Sequence, residues 1–497
     1  MKKQLTRILS FIIVLTLLLP MIVPCVSAAG GTYYTDTNDT TLTGRAVNYL
    51  HEHNIMGAPI VTETPARSRT AVVLSNRFYP NRSITKMELI MAIWNMLGRP
   101  ESPYFVHIFD SFSACEESEM RTYWKAIDWA VTNGIIEEPD DGMYHPDSTL
   151  TTEQVVTILH RFLNLCGYDT TPARRVRLLE PPTSEESAEA LYWAVSCNMI
   201  SRDADFLYDC SRGQVATFIY KIYEIYQKKY GLTVVQTRNL PSVLNDAKYM
   251  VALFELAGAT VASKVDIFFD APTWYDGDTF VESMAEAFSD AKALDICYLF
   301  LDSHGSNAGM ALFNYDPEIW PSGALSPKML RGEIDKYNGT FVVFIEACHS
   351  GTFIQKGIGN TNDAFDAESF AAELTKANQS KRNTSNLVDE TGRIKVLCSS
   401  SQAKMSWSNV VRGYAIEAWL QGCGFKSPQY HDHSGRLYAD TNRDNKLSMA
   451  ELYDYAYAKV VQLTFPYEGN TYKQHMVCNP ENDDTIIFEI RDWEFFD

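Results

Sequence analysis

A two-helix segment recurs three times in the first half of the chain. This constrains the fold more than any other feature, because matching apolar faces bury best against their own copies. The opening helices read AVNYLHEHN from Ala46, YWKAIDWAVTN from Tyr123 and AEALYWAVSCN from Ala188. The closing helices read SITKMELIMAIWNML from Ser83, TLTTEQVVTILHRFL from Thr149 and DCSRGQVATFIYKIY from Asp209, with apolar residues spaced by three and four. Thr85, Thr151 and Ser211 occupy equivalent positions and are expected as N-caps, their hydroxyls accepting from the free amides of the first turn. Phe78-Tyr79-Pro80 and Tyr144-His145-Pro146 precede the first two caps, and the third copy lacks such a signal.

After Tyr226 a polar stretch ending at Gly231 reads as a linker, spanning 227–239, and the pattern then changes class. Apolar runs at 261–269, 295–301, 340–347, 393–398 and 485–490 alternate with helical stretches at 279–291, 327–337, 413–421 and 448–461. This alternation predicts a mostly parallel sheet with helices on both faces. A further strand is expected at 232–236. Ligands of such sheets bind beyond the carboxyl ends of the strands. His304-Gly305 follows one run, CYLFLDS, and Cys348 follows another, FVVFIEA.

Lys2, Lys3 and Arg7 lead into an apolar run from Ile8 to Val23, closed by Val26-Ser27-Ala28, which is the pattern of a signal peptide over 1–28. Pro20 and Pro24 interrupt the run and argue against a retained anchor. No later stretch reaches the ~18 apolar residues of a membrane span, so the mature chain is expected outside the cell with no span. Cleavage removes three basic and no acidic side chains and moves the formal net charge from −19 to −22, which disfavours nucleic acid as a partner. Of the 10 cysteines one leaves with the signal. The remaining number is odd, which points to a free and reactive thiol in an exported protein.

The second copy, with Trp124, Ala126, Ile127, Gly134, Ile135, Asp141, Gly142, Tyr144, Pro146 and Thr151, closely resembles the S-layer homology domain. That resemblance implies three modules, at 33–100, 101–170 and 171–226, forming an all-α pseudo-trimer that docks on anionic secondary cell-wall polysaccharide. The family's groove arginine falls on Lys86, Thr152 and Arg212, so Lys86 and Arg212 are the expected wall-binding cations.

Residues 240–497 resemble the caspase-like cysteine peptidases, an α/β fold with a mostly parallel sheet flanked by helices. Asn245-Asp246-Ala247, Asp302-Ser303-His304-Gly305 and Glu346-Ala347-Cys348-His349-Ser350-Gly351 match metacaspase motifs, and the last is also close to legumain. The histidine stands 44 residues before the cysteine, near the spacing such enzymes use. The resemblance implies that Cys348 attacks a peptide carbonyl, that His304 manages its proton, and that the amides of Gly305 and Cys348 hold the oxyanion. It also places Asp246, Asp302 and Glu346 in the primary specificity pocket. Three carboxylates there would repel an acidic side chain and pair with Arg or Lys, so cleavage of a peptide or protein substrate after a basic residue is expected. Taken singly, Asp246 reads equally as a helix cap and Asp302 as a turn residue. Lys381 and Arg382, in a long polar segment, are candidate self-cleavage sites.

Asp440, Asn442, Asp444, the Lys446 carbonyl and Glu451 follow the spacing of a calcium loop, with Asn445 where glycine usually turns the chain, and calcium is the expected cofactor. The sequence therefore points to an exported, wall-anchored endopeptidase. The alternative is a non-catalytic surface adhesin or S-layer component built on the same fold.

Overall fold

A computed structural model describes residues 33–59, 76–101, 117–137, 144–235, 240, 242–262, 277–310, 325–355, 386–388, 392–409, 411–426, 433–467 and 469–489. The signal segment, Asp141, Gly142, Lys381 and Arg382 lie outside the described residues.

The three sequence copies are three helix pairs: α1 (Leu42–Glu52) with α2 (Lys86–Met96), α3 (Glu117–Thr132) with α4 (Thr152–Leu165), and α5 (Glu185–Ser196) with α6 (Arg212–Tyr226). Thr85, Thr151 and Ser211 cap the closing helices, and each is completed into a capping box by Glu88, Gln154 or Gln214. Such a cap contributes about 1 kcal/mol to its helix.

The capping segments also join one another. Ile84 N–H donates to the Cys210 carbonyl (2.8 Å), Cys210 N–H to Leu150 (2.8 Å), and Leu150 N–H to Ile84 (3.3 Å), closing a ring of three equivalent backbone bonds. One step outward the free amides of each closing helix find the loop of a neighbouring copy. Met87 N–H donates to Pro146, Glu153 N–H to Phe206 and Gly213 N–H to Pro80. Phe78, Tyr144 and Phe206 are wholly buried beside these bonds. Phe206 thus fills in the third copy the place that the aromatic-Pro signal marks in the other two.

The expected linker is not a linker. Only Gln227 and Lys228 separate α6 from β1 (Lys229–Val235), an interior strand of the sheet. The remaining elements are α7 (Val243–Leu256), β2 (Thr260–Ala262), α8 (Gly277–Phe288), β3 (Ile296–Asp302), β4 (Gly305–Ser306), β5 (Gly309–Met310), α9 (Pro327–Ile334) and β6 (Thr340–Glu346). They continue with β7 (Ile394–Cys398), α10 (Tyr414–Gly422), β8 (Lys446–Ser448), α11 (Met449–Val460), β9 (Phe465–Tyr467), β10 (Asn470–Tyr472), β11 (Val477–Asn479) and β12 (Ile486–Glu489).

The main sheet runs β11-β7-β6-β3-β1-β2, parallel throughout except for the antiparallel edge strand β11. Its central strands alternate strictly between two cores. Tyr298, Phe300, Val342 and Phe344 face α7, α10 and α11, while Cys297, Leu299, Leu301, Phe341, Val343 and Ile345 face α8 and α9. Both faces being buried explains why these strands read as continuous apolar runs. β12, expected in this sheet, instead pairs antiparallel with β8 beside it.

The helical half packs against the amino ends of the strands. Leu294 N–H donates to Tyr168 (3.0 Å), Gln227 Nε2 to the Leu294 carbonyl (2.9 Å), and Lys292 Nζ to the Gly167 carbonyl (2.6 Å). A cavity of about 700 Å³ remains between the halves, lined by Asn54, Arg99, Tyr337, Arg393 and Lys395 among others. Among the described residues no helix is long and apolar enough to cross a membrane.

Candidate active site

β3 and β6 are adjacent and parallel, and Asp302 pairs with Glu346 at their carboxyl ends. His304 and Cys348 each lie two residues further on, so the register brings them to equal positions on strands ~4.8 Å apart. Both line one cleft, together with Asp246, Asp302, Glu346, Ser406 and Gly413. The sequence-based sites of catalysis and of substrate recognition therefore fall in a single place.

Gly305 belongs there for steric reasons. A Cβ added to it would lie 2.0 Å from the Cys348 carbonyl oxygen, closer than any side chain tolerates. After Cys348 the chain turns through His349 in the left-handed region (φ 58°), and its ring bonds the Gln402 carbonyl at 2.8 Å. The Cys348 thiol donates to the Ser406 carbonyl at 3.6 Å. Burial, and beyond it the nearby Glu346 carboxylate, push this thiol above its ordinary value.

The three acids are nearly inaccessible, at 1% for Asp246, 3% for Asp302 and 5% for Glu346. Asp246 neither caps its own helix nor faces water. Its carboxylate accepts the Gly413 N–H (3.0 Å) at the start of α10. Asp302, likewise, is no solvated turn residue. Among the described residues, Asp246 Oδ1, Asp302 Oδ2 and Glu346 Oε2 have no hydrogen-bond partner. Burial drives all three toward the protonated form, Glu346 up to about 7 and the two aspartates well above the usual carboxylate range. Three orphaned carboxyl oxygens in one cleft leave acceptors open to a hydrogen-bond donor.

Several residues that hold this site escaped the sequence reading. Ser406 donates through its hydroxyl to Glu346, and fully buried Gln474 holds Ser406 Oγ (3.0 Å), the Ser399 carbonyl (2.9 Å) and the Trp407 amide (3.0 Å). Ser399 and Ser400 grip the backbone of Ala347, next to Cys348. The run Ser399-Ser400-Ser401, placed directly after an apolar strand, was a readable signal. Gln474 has none in its neighbourhood.

The wall-binding pair fares unevenly. Lys86 is half-buried, its Nζ 3.2 Å from the Tyr144 carbonyl and 4.9 Å from the centre of that ring. Arg212 is not available as an exposed cation. It is 1% exposed, ion-paired to buried Glu88 (2.6 Å), bonded to the Phe78 and Gly57 carbonyls, and set against the Phe78 ring. Burial of the third copy's closing helix against the first consumes its charge.

The side chains among the expected calcium donors are engaged with the loop's own backbone in this structure. Asp440 accepts from the Arg443, Asp444 and Asn445 amides, and Glu451 accepts from Thr441, Asn442 and the Ser448 cap. The Lys446 ammonium pairs with Glu52 (2.6 Å) of α1. Among the described residues no three Asp, Glu, His or Cys side chains gather where a metal ion could sit.

No curated protein matches the chain. Solved structures with some likeness include caspase-1 from Spodoptera frugiperda, at 12% identity over 51% of this chain and 85% of that one, with a TM-score of 0.30. Protein GSU0716 from Geobacter sulfurreducens is 16% identical over 53% of this chain and 100% of that one, with a TM-score of 0.31. At such scores neither bears on the argument, which rests on the sheet and the cleft. In the helical half, residues 120–155, from α3 into the first turn of α4, match the family model of the S-layer homology domain.

Proposed function

We propose that the protein is an exported cysteine endopeptidase, held at the cell wall by its helical half, that cleaves after arginine or lysine. One observation carries the catalytic part. His304 and Cys348 leave adjacent strands in register and line one cleft with three buried carboxyls, each with one oxygen that lacks a partner among the described residues.

In this reading His304 takes the thiol proton and Cys348 Sγ attacks the scissile carbonyl carbon. The oxyanion is met by the amides of Gly305 and Cys348. The tetrahedral species collapses with loss of the amine, to which His304 returns the proton, and water hydrolyses the thioester to restore the thiol. Asp246, Asp302 and Glu346 receive the basic side chain of the residue before the cut. Wall attachment rests on the match at 120–155 and on the signal pattern at 1–28. Lys86 is the cation that would meet an anionic polysaccharide, and Arg212 serves the module's interior.

The non-catalytic adhesin reading draws on one observation, the neutral, hydrogen-bonded state of the Cys348 thiol. A panel of fluorogenic peptides with Arg, Lys, Asn or Asp before the cut, tested beside Cys348→Ala, separates the two. Cleavage after Arg or Lys that vanishes in the variant is the expected result. Cleavage after Asn would overturn the pocket assignment, and no turnover with an unreactive Cys348 would leave the adhesin.

A further inference from the structure

Ser406 touches both halves of the proposed chemistry. Its carbonyl accepts the Cys348 thiol at 3.6 Å, a bond only protonated sulfur can donate, while its hydroxyl binds Glu346. Gln474 fixes that hydroxyl at 3.0 Å and the next amide, Trp407 N–H, at 3.0 Å. At rest burial and the Glu346 charge favour the thiol, a Ser406 backbone bond opposes them, and the sulfur sits beside a carboxyl that shares its anchor.

We infer that the substrate's own basic side chain arms the nucleophile: a cation entering the acidic cleft favours the Cys348 thiolate, through the charge of Glu346 and with Ser406 as the positioning residue between them. The inference rests on the endopeptidase reading and deepens it, because it makes ionisation of the nucleophile depend on what fills the specificity cleft.

The sign follows from charge. Negative carboxylate near sulfur disfavours a second anion, and burial leaves little solvent to screen it. A guanidinium has enough N–H groups to reach Asp246 Oδ1, Asp302 Oδ2 and Glu346 Oε2, and its charge offsets theirs. The same coupling runs backwards, so the thiolate state binds the cation more tightly. Other charged or titratable groups also face the site: Arg412 and Glu417 beside Asp246, His304 across from Cys348, and His349 and Lys404 on the turn behind it. All are present with and without the cation, so comparing the two states isolates its effect. A peptide lacking the basic residue would thus lose kcat as well as affinity, since the interaction is spent on the reacting group.

The test is the pH profile of Cys348 alkylation by iodoacetamide in the full chain, read by mass spectrometry of the Cys348 peptide. In that reaction thiolate sulfur displaces iodide and the thiol proton passes to solvent. Methylguanidinium is added at concentrations that inhibit cleavage of an arginyl peptide, with methylurea as the neutral control. Methylguanidinium is expected to lower the midpoint by about one pH unit, roughly a tenfold faster alkylation below it, with no effect of methylurea. Glu346→Gln should lower the midpoint without any cation and cut the response to about twofold. Ser406→Ala should lose the response and lower kcat for the arginyl peptide more than it raises KM, and Ser406→Thr should restore both. If methylguanidinium leaves alkylation unchanged, or only blocks it, while arginyl peptides are cleaved, the coupling is overturned and the endopeptidase stands. Failure of methylguanidinium to inhibit at any concentration would overturn the cationic cleft. Absence of both alkylation and cleavage would remove the endopeptidase reading and this inference with it.

Discussion

Glu346 has one oxygen bonded to Ser406 and one without a partner among the described residues, and burial lifts it to about 7. A carboxyl raised on folding is more easily protonated in the native state than in the unfolded chain. Its contribution is fully present below the unfolded value near 4.5 and is lost as pH rises through about 7. Complete ionisation would cost on the order of 3 kcal/mol, and Asp246 and Asp302 act in the same direction. Glu346→Gln removes this liability, so its thermal midpoint should gain on the wild type steadily between pH 5 and pH 8. A gap that stays constant would mean Glu346 does not ionise in that window. Beside it, Gly305→Ala tests close packing. A methyl 2.0 Å from the Cys348 carbonyl must push the nucleophile's backbone away. Cleavage should fall at least a hundredfold, with about 1–3 kcal/mol of stability lost, measured by turnover and by urea melts.

Each closing helix of the first half begins the same way, with a hydroxyl cap, a capping box and amides bonded to a neighbouring copy, yet the residue just inside the cap has diverged. Lys86 stays partly accessible, whereas Arg212 is sealed in with Glu88. Lys86→Ala should therefore weaken binding to anionic wall polysaccharide while costing about 1 kcal/mol or less. Arg212→Ala should cost about 3 kcal/mol, because buried Glu88 loses one of its two cations, keeping Arg82, and the Phe78 and Gly57 carbonyls lose their donors, a difference that thermal melts and a polysaccharide pull-down resolve together. Sequence spacing could place Thr85, Thr151 and Ser211, because a cap is a local device. It could not show which N-terminal cation is buried, because that depends on the loop of another copy. The same limit explains the rest. The strands β3 and β6 and the residues at their ends were legible from continuous apolar runs. The strand expected at 232–236 is the second half of β1, whose start was hidden because Lys229, Tyr230 and Gly231 dilute its apolar core, and the three-residue edge strand β11 is too short to carry a pattern. In the loop at 440–451 the spacing was legible, and Asp440 and Glu451 accept from the loop's own amides. If the loop takes calcium, the ion should raise the thermal midpoint and a chelator should reverse the rise, and an unchanged midpoint would remove calcium as the cofactor.

The helical half and the cleft of His304 and Cys348 occupy opposite ends of the sheet. Tyr168, Gln227 and Lys292 join the halves at the amino ends of the strands, while His304 and Cys348 stand beyond the carboxyl ends. With only two residues between α6 and β1, that arrangement is set by contacts and not by a tether. The Lys446–Glu52 pair is the charged part of the joint. Glu52 is 5% exposed, burial raises its carboxyl, and Lys446 opposes that rise. Glu52→Gln keeps the size of the side chain but strands a buried ammonium near Asp444 and Glu489. If the joint is built as described, amide exchange should quicken in 42–52 and in 440–451 together, since one pair protects both. Cleavage of a short arginyl peptide should stay within about twofold, because the cleft lies at the far end of the sheet. Faster exchange confined to 42–52 would mean that α1 is only loosely held, and a large loss of peptide cleavage would mean that the joint reaches the active site through the sheet.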